Sequence, residues 1–149
     1  MKTIVALVDF SDLTNRIVEQ ACKLATAFQG KVVLLHGVPE QPAVVELGLA
    51  SPTVLQAPSE KKIEADFNKL LDLRDSLAGS GVNVVVQQLE QGAVGKLLDQ
   101  CRALETDLIV MGSHHHSALY HLVVGTFTSD VIKQAPCPVM VVPGAEKKK

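Results

Sequence analysis

The chain has 149 residues and a mass of 15.9 kDa, which suits one globular domain with a single hydrophobic core. Hydrophobic residues make up 47% and charged residues 20% of it, which excludes disordered and collagen-like chains. The net charge is -2, aromatic residues amount to 3% and there is no Trp, so neither a duplex nor a single-stranded nucleic acid is indicated as a partner.

The first apolar run is short and ends in polar residues. Thr3–Val8 is rich in β-branched residues and predicts a strand. Ser11 or Asp12 can then cap a helix, whose apolar residues repeat at helical spacing as far as Gly30. The run is too short for the apolar region of a signal peptide or for a membrane span. We therefore expect a cytoplasmic protein with no membrane partner.

The middle of the chain alternates between strands and helices. Val32–His36 predicts a second strand, and its continuous apolar character indicates burial on both faces of a parallel sheet. Residues 39–58 carry four of the seven prolines and predict a long loop. A helix with apolar residues from Ile63 to Leu77 follows, and then a strand over Val82–Leu89 whose late polar residues indicate a sheet edge.

The last third of the chain repeats the pattern. A helix over Val94–Leu104 leads into a strand over Leu108–Met111, after which residues 112–124 predict a loop. A last helix is expected from about Thr126 to Gln134, before the final strand, Val139–Val142. Strands and helices that alternate in this way predict an α/β domain with a doubly wound, Rossmann-like parallel sheet of five strands and helices on both faces.

We expect this single domain to occupy residues 1–143. Residues 144–149 end in three lysines and predict a flexible basic tail. The three cysteines, Cys22, Cys101 and Cys137, are odd in number and far apart in sequence. A disulfide framework is therefore not indicated, and a reducing compartment fits.

Ligands of such folds bind beyond the carboxyl ends of the strands, where the strand order reverses. Those ends are Asp9, Gly37, residues 90–92 and the segment from Gly112 onward. In the last segment a glycine ends a strand, and Gly125-Thr126-Phe127-Thr128 is expected to begin a helix. Glycine allows close backbone approach and free helical amides attract anions. The pattern predicts a phosphate site, although ordinary turn and cap roles would produce the same residues.

Three other groups of residues have both a functional and a structural interpretation. His114–His116 and His121 are potential zinc ligands, but adjacent loop histidines share no helical face and neither HExxH nor CxxC occurs, so we predict no metal site. Asp9 and Asp12 suit capping as well as ligand contact. His36 lies in an apolar strand, where a buried histidine bonded to a backbone group is more common than a catalytic one.

Four segments in chain order resemble the universal stress protein family. They are VDFSD after the first strand, LLHG in the second, DLIVMGSHH around the fourth, and QAPCPVMVVP at the end. Nucleotide-binding members of that family carry G-x2-G-x9-G-[ST] after the fourth strand. This chain has Gly112 and Gly125-Thr126 at that spacing, with His115 where the second glycine stands.

The resemblance implies a fold of the adenine nucleotide alpha hydrolase-like type and a site for ATP or another adenine nucleotide, ADP or AMP, which can bring Mg²⁺ with it. Asp9 would face the adenosine, and Gly37 and Met111 would line the adenine pocket. Ribose and phosphates would be surrounded by residues of the fourth strand end and the last helix, namely Gly112, Ser113, His115, Gly125, Thr126, Phe127 and Thr128.

The function implied by the resemblance is a stress-response or regulatory module. We do not expect an enzyme, because no positioned base, metal-binding carboxylate pair or arginine is evident, and at most slow ATP hydrolysis or autophosphorylation would occur. The resemblance also implies a homodimer joined through Val139–Val142, and an apolar edge strand needs such a cover. The alternative is a dimeric interaction domain in which His115 closes the nucleotide site.

Overall fold

The structure is a computed structural model that describes residues 1–38, 59–90, 92–113 and 121–144, with the backbone alone for residues 121–126. The predicted loop over residues 39–58, the histidines at 114–116 and the tail from residue 145 lie outside the described residues.

Five parallel strands form one sheet. They are β1 (Thr3–Leu7), β2 (Lys31–Gly37), β3 (Asn83–Leu89), β4 (Leu108–Gly112) and β5 (Val139–Val142). The order across the sheet is β3-β2-β1-β4-β5, and every neighbouring pair is parallel. The chain moves outward from β1 to β3 on one side and then from β4 to β5 on the other. The strand order therefore reverses between β1 and β4, and the predicted five-stranded sheet with β3 and β5 at its edges is confirmed.

In the described ranges, four α-helices cover the two faces of the sheet. They are α1 (Thr14–Phe28), α2 (Glu60–Ser76), α3 (Val94–Ala103) and α4 (His121–Gln134), and a short 3-10 helix, Ala78–Ser80, follows α2. One face packs Ile4 and Leu34 against Ile17 of α1 and Leu70 of α2. The other face packs Val5, Leu35 and Ile109 against Leu97, Leu98 and Cys101 of α3 and Val131 of α4. The strands β1 and β4 are buried along their whole length, which explains their continuous apolar sequences.

The ends of α1 differ from the prediction by one or two residues. Its N-cap residue is Leu13, which makes no side-chain capping bond. The Ser11 hydroxyl accepts from the Leu13 amide at 3.3 Å and so stabilises the turn before the helix, not the helix end itself. At the other end Gln29 adopts the left-handed conformation with φ 54°, and the Gly30 amide donates to the Ala25 carbonyl. The predicted stop is correct, but the left-handed residue precedes the glycine.

The predicted start of α4 at Thr126 is wrong, because the helix begins at His121. Val124, Phe127 and Val131 extend the helical spacing of apolar residues in the amino-terminal direction. The helix therefore takes Gly125 into its interior, which costs about 1 kcal/mol relative to alanine. As a result, Gly125 and Thr126 lie beyond the first turn, and the amides that an α-helix leaves free are those of its first turn.

The three cysteines are all free thiols, as predicted. Burial raises the pKa of Cys101 to about 11 and also raises the pKa values of Cys22 and Cys137. Because the thiolate is the reactive form, these side chains act as small apolar residues at neutral pH. In the part of the chain that the structure describes, no helix combines the length and the apolar character needed to cross a membrane.

Candidate functional site

The carboxyl ends of three adjacent strands bring five of the predicted ligand residues to one edge of the sheet. Asp9 follows β1, Gly37 ends β2, and Met111 and Gly112 end β4 with Ser113 directly after them. Because β1 lies between β2 and β4, these residues flank the point where the strand order reverses. This is the place at which open α/β sheets bind their ligands.

The turn after β1 is held by backbone bonds and one acidic side chain. The Val8 amide donates to the Leu35 carbonyl at 2.9 Å, which extends the pairing of β1 with β2 by one residue. The Asp9 side chain is exposed, and its Oδ1 accepts from the Ser11 amide at 3.1 Å. Phe10 has a φ of 59°, which is a strained conformation for a bulky residue and is concentrated at functional sites.

Gly37 has a packing role in addition to any contact with a ligand. A Cβ on Gly37 would lie 2.8 Å from the Gly92 Cα, and a Cβ on Gly92 would lie 2.7 Å from the Val38 carbonyl oxygen. The two backbones are joined by the Gly92 amide, which donates to Val38 at 2.7 Å. A larger residue at position 37 would push the β3–α3 connection away from the end of β2.

The end of β4 is covered by the start of α1. A Cβ on Gly112 would lie 2.9 Å from Leu13 Cδ1 and 3.1 Å from Ile17 Cδ1, so those two side chains occupy the space next to the glycine. Met111 points to the opposite face and is buried in the core that α3 and α4 cover. Space for a ligand at this strand end therefore lies beyond the strand and not along its faces.

Ser113 contacts the segment that follows β5. Its amide donates to the Val142 carbonyl at 2.9 Å, and its Oγ accepts from the Gly144 amide at 3.2 Å. Arg16, in the first turn of α1, donates from Nη1 to the Pro143 carbonyl at 2.8 Å. Since both side chains bond the peptide unit between Pro143 and Gly144, Arg16 Nη1 and Ser113 Oγ lie within about 9 Å of each other.

Arg16 was not among the predicted ligand residues. It precedes Gly112 by 96 positions in the chain, and the fold brings it to the same edge of the sheet. Parallel pairing of β1 with β4 is the signal that could have found it, because the helix after β1 begins beside the end of β4.

The remaining predicted ligand residues are distributed differently. Phe127 is half-buried against the core of the α3–α4 face, where packing is the role that the structure gives it. Thr128 is half-buried on α4. Gly125 and Thr126 lie in the interior of the same helix, and His115 lies outside the described residues.

Two further predictions concern histidine and metal binding. His36 is buried, and its Nδ1 lies 2.7 Å from the Val8 carbonyl oxygen, so the predicted bond to a backbone group is confirmed. Among the described residues, no group of three or more His, Cys, Asp or Glu side chains is arranged to hold a metal ion. The histidine loop at 114–116 is not among those residues.

Comparison with known proteins identifies the relatives of this chain. The model of the universal stress protein family matches residues 1–143. Universal stress protein MJ0531 of Methanocaldococcus jannaschii is 28% identical over 147 residues, which are 99% of this chain and 85% of that protein.

Solved structures of the same family share the fold. Universal stress protein UspA from Lactobacillus plantarum superposes with a TM-score of 0.73 at 23% identity, covering 95% of this chain and 97% of that one. The universal stress protein from Archaeoglobus fulgidus, solved in complex with dAMP, gives a TM-score of 0.66 at 19% identity, covering 95% and 96% of the two chains.

Proposed function

The chain belongs to the universal stress protein family, and we propose that it binds an adenine nucleotide at the carboxyl edge of the sheet and acts as a regulatory module through the occupancy of that site. The observation that carries this proposal is the convergence of Asp9, Gly37 and Gly112-Ser113 at the reversal of strand order. The relative from Archaeoglobus fulgidus that was solved with dAMP supports the choice of an adenine nucleotide.

We assign the adenosine end of the nucleotide to the β1–β2 side of this edge. The Asp9 carboxylate is exposed beyond β1, and a carboxylate accepts hydrogen bonds from ribose hydroxyls or an exocyclic amine. Gly37 carries no side chain at the end of β2, which allows a flat base to approach the backbone there.

We assign the phosphate end to the β4–β5 side. The Ser113 hydroxyl accepts a bond from Gly144, and a hydroxyl that accepts one bond can still donate its own proton to a phosphate oxygen. Arg16 adds a guanidinium with five N–H donors, of which Nη1 is bonded to Pro143. This cation is charged at every physiological pH and would favour the nucleotides with more phosphate charge.

The assembly that we propose is a homodimer joined through β5. This strand lies at the sheet edge, and three of its four residues, all apolar, are half-buried in the single chain. An apolar edge strand presents unpaired backbone groups to any similar strand. Sedimentation at micromolar concentration should give about twice the chain mass, and a clean monomer would contradict this assembly.

Calorimetric titration tests the nucleotide site. ATP, ADP and AMP would be added to wild-type protein, to the Asp9→Asn variant and to the Asp72→Asn variant, which changes an exposed residue of α2. We expect micromolar binding by the wild type, a loss of about tenfold in Asp9→Asn, because the acceptor loses its charge and one of its two oxygens, and no change in Asp72→Asn. Equal weakening in both variants would refute the role of Asp9.

One observation favours the alternative of an interaction domain without nucleotide. The α4 helix begins at His121, so the amides of Gly125 and Thr126 lie past the turn that could bind a phosphate. His115 replaces the second glycine of the family motif in the same segment. If no heat is detected with millimolar nucleotide, this alternative replaces the proposal.

A further inference from the structure

A buried polar cluster lies beneath the turn that carries Asp9. His36 of β2 and Asp66 of α2 are each 4% exposed, although the surrounding face of the sheet is an apolar core. The turn above them comprises residues 8–13 and is called the β1 loop below. Buried ionisable groups are costly unless each has a partner, so the partners of His36 and Asp66 define what the cluster does.

The contact with Val8 fixes the tautomer of the imidazole. His36 Nδ1 lies 2.7 Å from the Val8 carbonyl oxygen, and a carbonyl oxygen can only accept, so Nδ1 carries a proton. The same Val8 residue donates its amide to Leu35. The amide and the carbonyl of Val8, the first residue of the β1 loop, are therefore both bonded to β2.

The other ring nitrogen faces the carboxylate of Asp66. His36 Nε2 has no hydrogen-bond partner among the described residues and lies 3.6 Å from Asp66 Oδ2. In a neutral ring with its proton on Nδ1, the bare Nε2 would face another acceptor across a buried gap, which is repulsive. With a second proton, Nε2 would direct an N–H at a carboxylate, which is an attractive, charge-assisted arrangement.

Among the described residues, the other charged groups within 4 Å of Asp66 lie at the protein surface. Lys62 Nζ is 3.4 Å from Asp66 Oδ2, and Lys69 Nζ is 3.5 Å from Oδ1, but both lysine side chains are 58% exposed. Solvent therefore screens their effect on the ring. On the β3 side the paired residue is Gln88, which is uncharged and donates to the Ile63 carbonyl. Asp66 is the buried charge that faces His36.

The His36 ring also supports the strained residue of the β1 loop. The rings of Phe10 and His36 lie 4.7 Å apart between centroids, tilted by 48°, and Phe10 holds a φ of 59°. Lys69 Nζ lies 5.3 Å from the centroid of the Phe10 ring. A non-glycine residue keeps this conformation only when its surroundings compensate for the strain, and the ring of His36 is among the groups that contact Phe10, together with Lys69 and the apolar core.

We infer that His36 is a positioning residue for the β1 loop, and that it holds the loop as an imidazolium paired with Asp66. It acts through Val8 and Phe10, the residues on either side of Asp9. The sign of the pH dependence follows: the protonated ring stabilises this loop conformation, and that stabilisation is lost as rising pH removes the Nε2 proton. The consequence for nucleotide affinity, and that part alone, rests on the proposed function.

The first test uses nucleotide-free protein with 15N-labelled histidine. Side-chain NMR across pH 5 to 9 reports the protonation of the His36 nitrogens, and backbone NMR reports the amides of Asp9, Phe10 and Ser11. We expect the loop amides to shift in step with the loss of the second His36 proton. Loop amides that stay constant while His36 titrates would overturn the inference, and so would a His36 that is neutral throughout this range.

Two conservative variants separate positioning from simple packing. In Asp66→Asn the amide can donate to a neutral Nε2, so the loop should keep its low-pH spectrum up to pH 9. In His36→Asn the shorter amide can still donate to Val8, but the ring that contacts Phe10 and its second proton are both absent, so the loop spectrum should not change over this pH range. Wild-type pH dependence in either variant would contradict the proposal.

The second test measures AMP affinity over the same pH range in wild type and Asp66→Asn. The loop histidines, including His115, are present in both proteins, so the ratio of their affinities isolates the effect of the pair. We expect wild type to lose about tenfold between low and high pH relative to the variant, the size of one charge-assisted bond. A constant ratio with clear binding refutes the link from loop to ligand, whereas absent binding with pH-linked loop amides refutes the proposed function alone.

Discussion

The two halves of the carboxyl edge are held in place by different kinds of interaction. On the β1–β2 side, the loop that carries Asp9 rests on a buried histidine and a buried carboxylate, each 4% exposed. On the β4–β5 side, Ser113 and the segment after β5 are joined by backbone amides, a hydroxyl and the permanently charged Arg16. The described contacts of the β1–β2 side thus include a histidine, whereas those described for Ser113 and Arg16 involve only backbone groups, a hydroxyl and a guanidinium.

The largest expected effect comes from a substitution in the buried His36–Asp66 pair on the β1–β2 side. Asp66→Ala leaves His36 without its facing carboxylate and should lower the free energy of unfolding by about 3 kcal/mol, which is the usual cost of removing one member of a buried pair. Asp75→Ala breaks the exposed pair with Arg74 and is the matched control. Urea unfolding should show no change for that control, and equal effects of the two substitutions would contradict the account.

Glycine packing gives the next largest effect. Gly37→Ala places a Cβ 2.8 Å from the Cα of Gly92. We expect the free energy of unfolding to fall by about 2 kcal/mol, because neither backbone can move without breaking strand contacts. Gly95→Ala is the control, since a Cβ there meets nothing within 4 Å and the residue lies in α3. The free energy of unfolding of the Gly95→Ala variant should rise by about 0.5–1 kcal/mol, because alanine favours a helix more than glycine does. A tolerated Gly37→Ala would show that the two backbones are not in close contact.

Arg16 provides the charge of the second half. We expect Arg16→Gln to weaken ATP about tenfold, the contribution of one bond to a charged group, and to weaken AMP much less because fewer phosphates reach that side. Arg102→Gln, which loses an exposed pair with Asp99 at the end of α3, is the control. Calorimetry that shows the same loss for ATP and AMP would place Arg16 outside the phosphate region.

The smallest effect concerns the bond from Gly144 to Ser113. Ser113→Ala removes the acceptor of the 3.2 Å bond from the Gly144 amide. The free energy of unfolding should fall by only about 1 kcal/mol, because Gly144 is half-buried and water can replace the lost bond. Hydrogen exchange should show faster opening at Gly144 than in wild type. Unchanged exchange at Gly144 would show that the Ser113 hydroxyl does not hold this amide.

The strands were predictable from the sequence because they are buried on both faces, and their apolar runs need no information from elsewhere in the chain. The start of α4 was not predictable, because the sequence around Gly125 does not show whether this glycine lies inside the helix or at its beginning. Asp66 was not predicted for a related reason: Lys62 and Lys69 one turn away on α2 are exposed, and the residue that Asp66 faces, His36, is 30 positions earlier in the chain.

Part of the candidate site was predictable from residues at the ends of strands. Parallel strands place their carboxyl ends at the same edge of the sheet, so these residues lie near one another. Asp9, Gly37, Gly92 and Gly112 were found in this way. Arg16 contributes to the same edge through a contact between distant parts of the chain. Such contacts depend on strand order and register, which a pattern of apolar residues does not specify.

The most direct test of the central claim is a backbone NMR titration with AMP. The amino edge of the sheet provides an internal control, because it has a polar depression of about 760 Å³ lined by Lys2, Gln29, Lys31, Asn83, Glu105 and Asp107 among others. We expect saturable shifts at Asp9, Gly37, Gly112 and Ser113, with the amino-edge amides unchanged. Saturable shifts confined to the amino edge, or none anywhere at millimolar AMP, would contradict it.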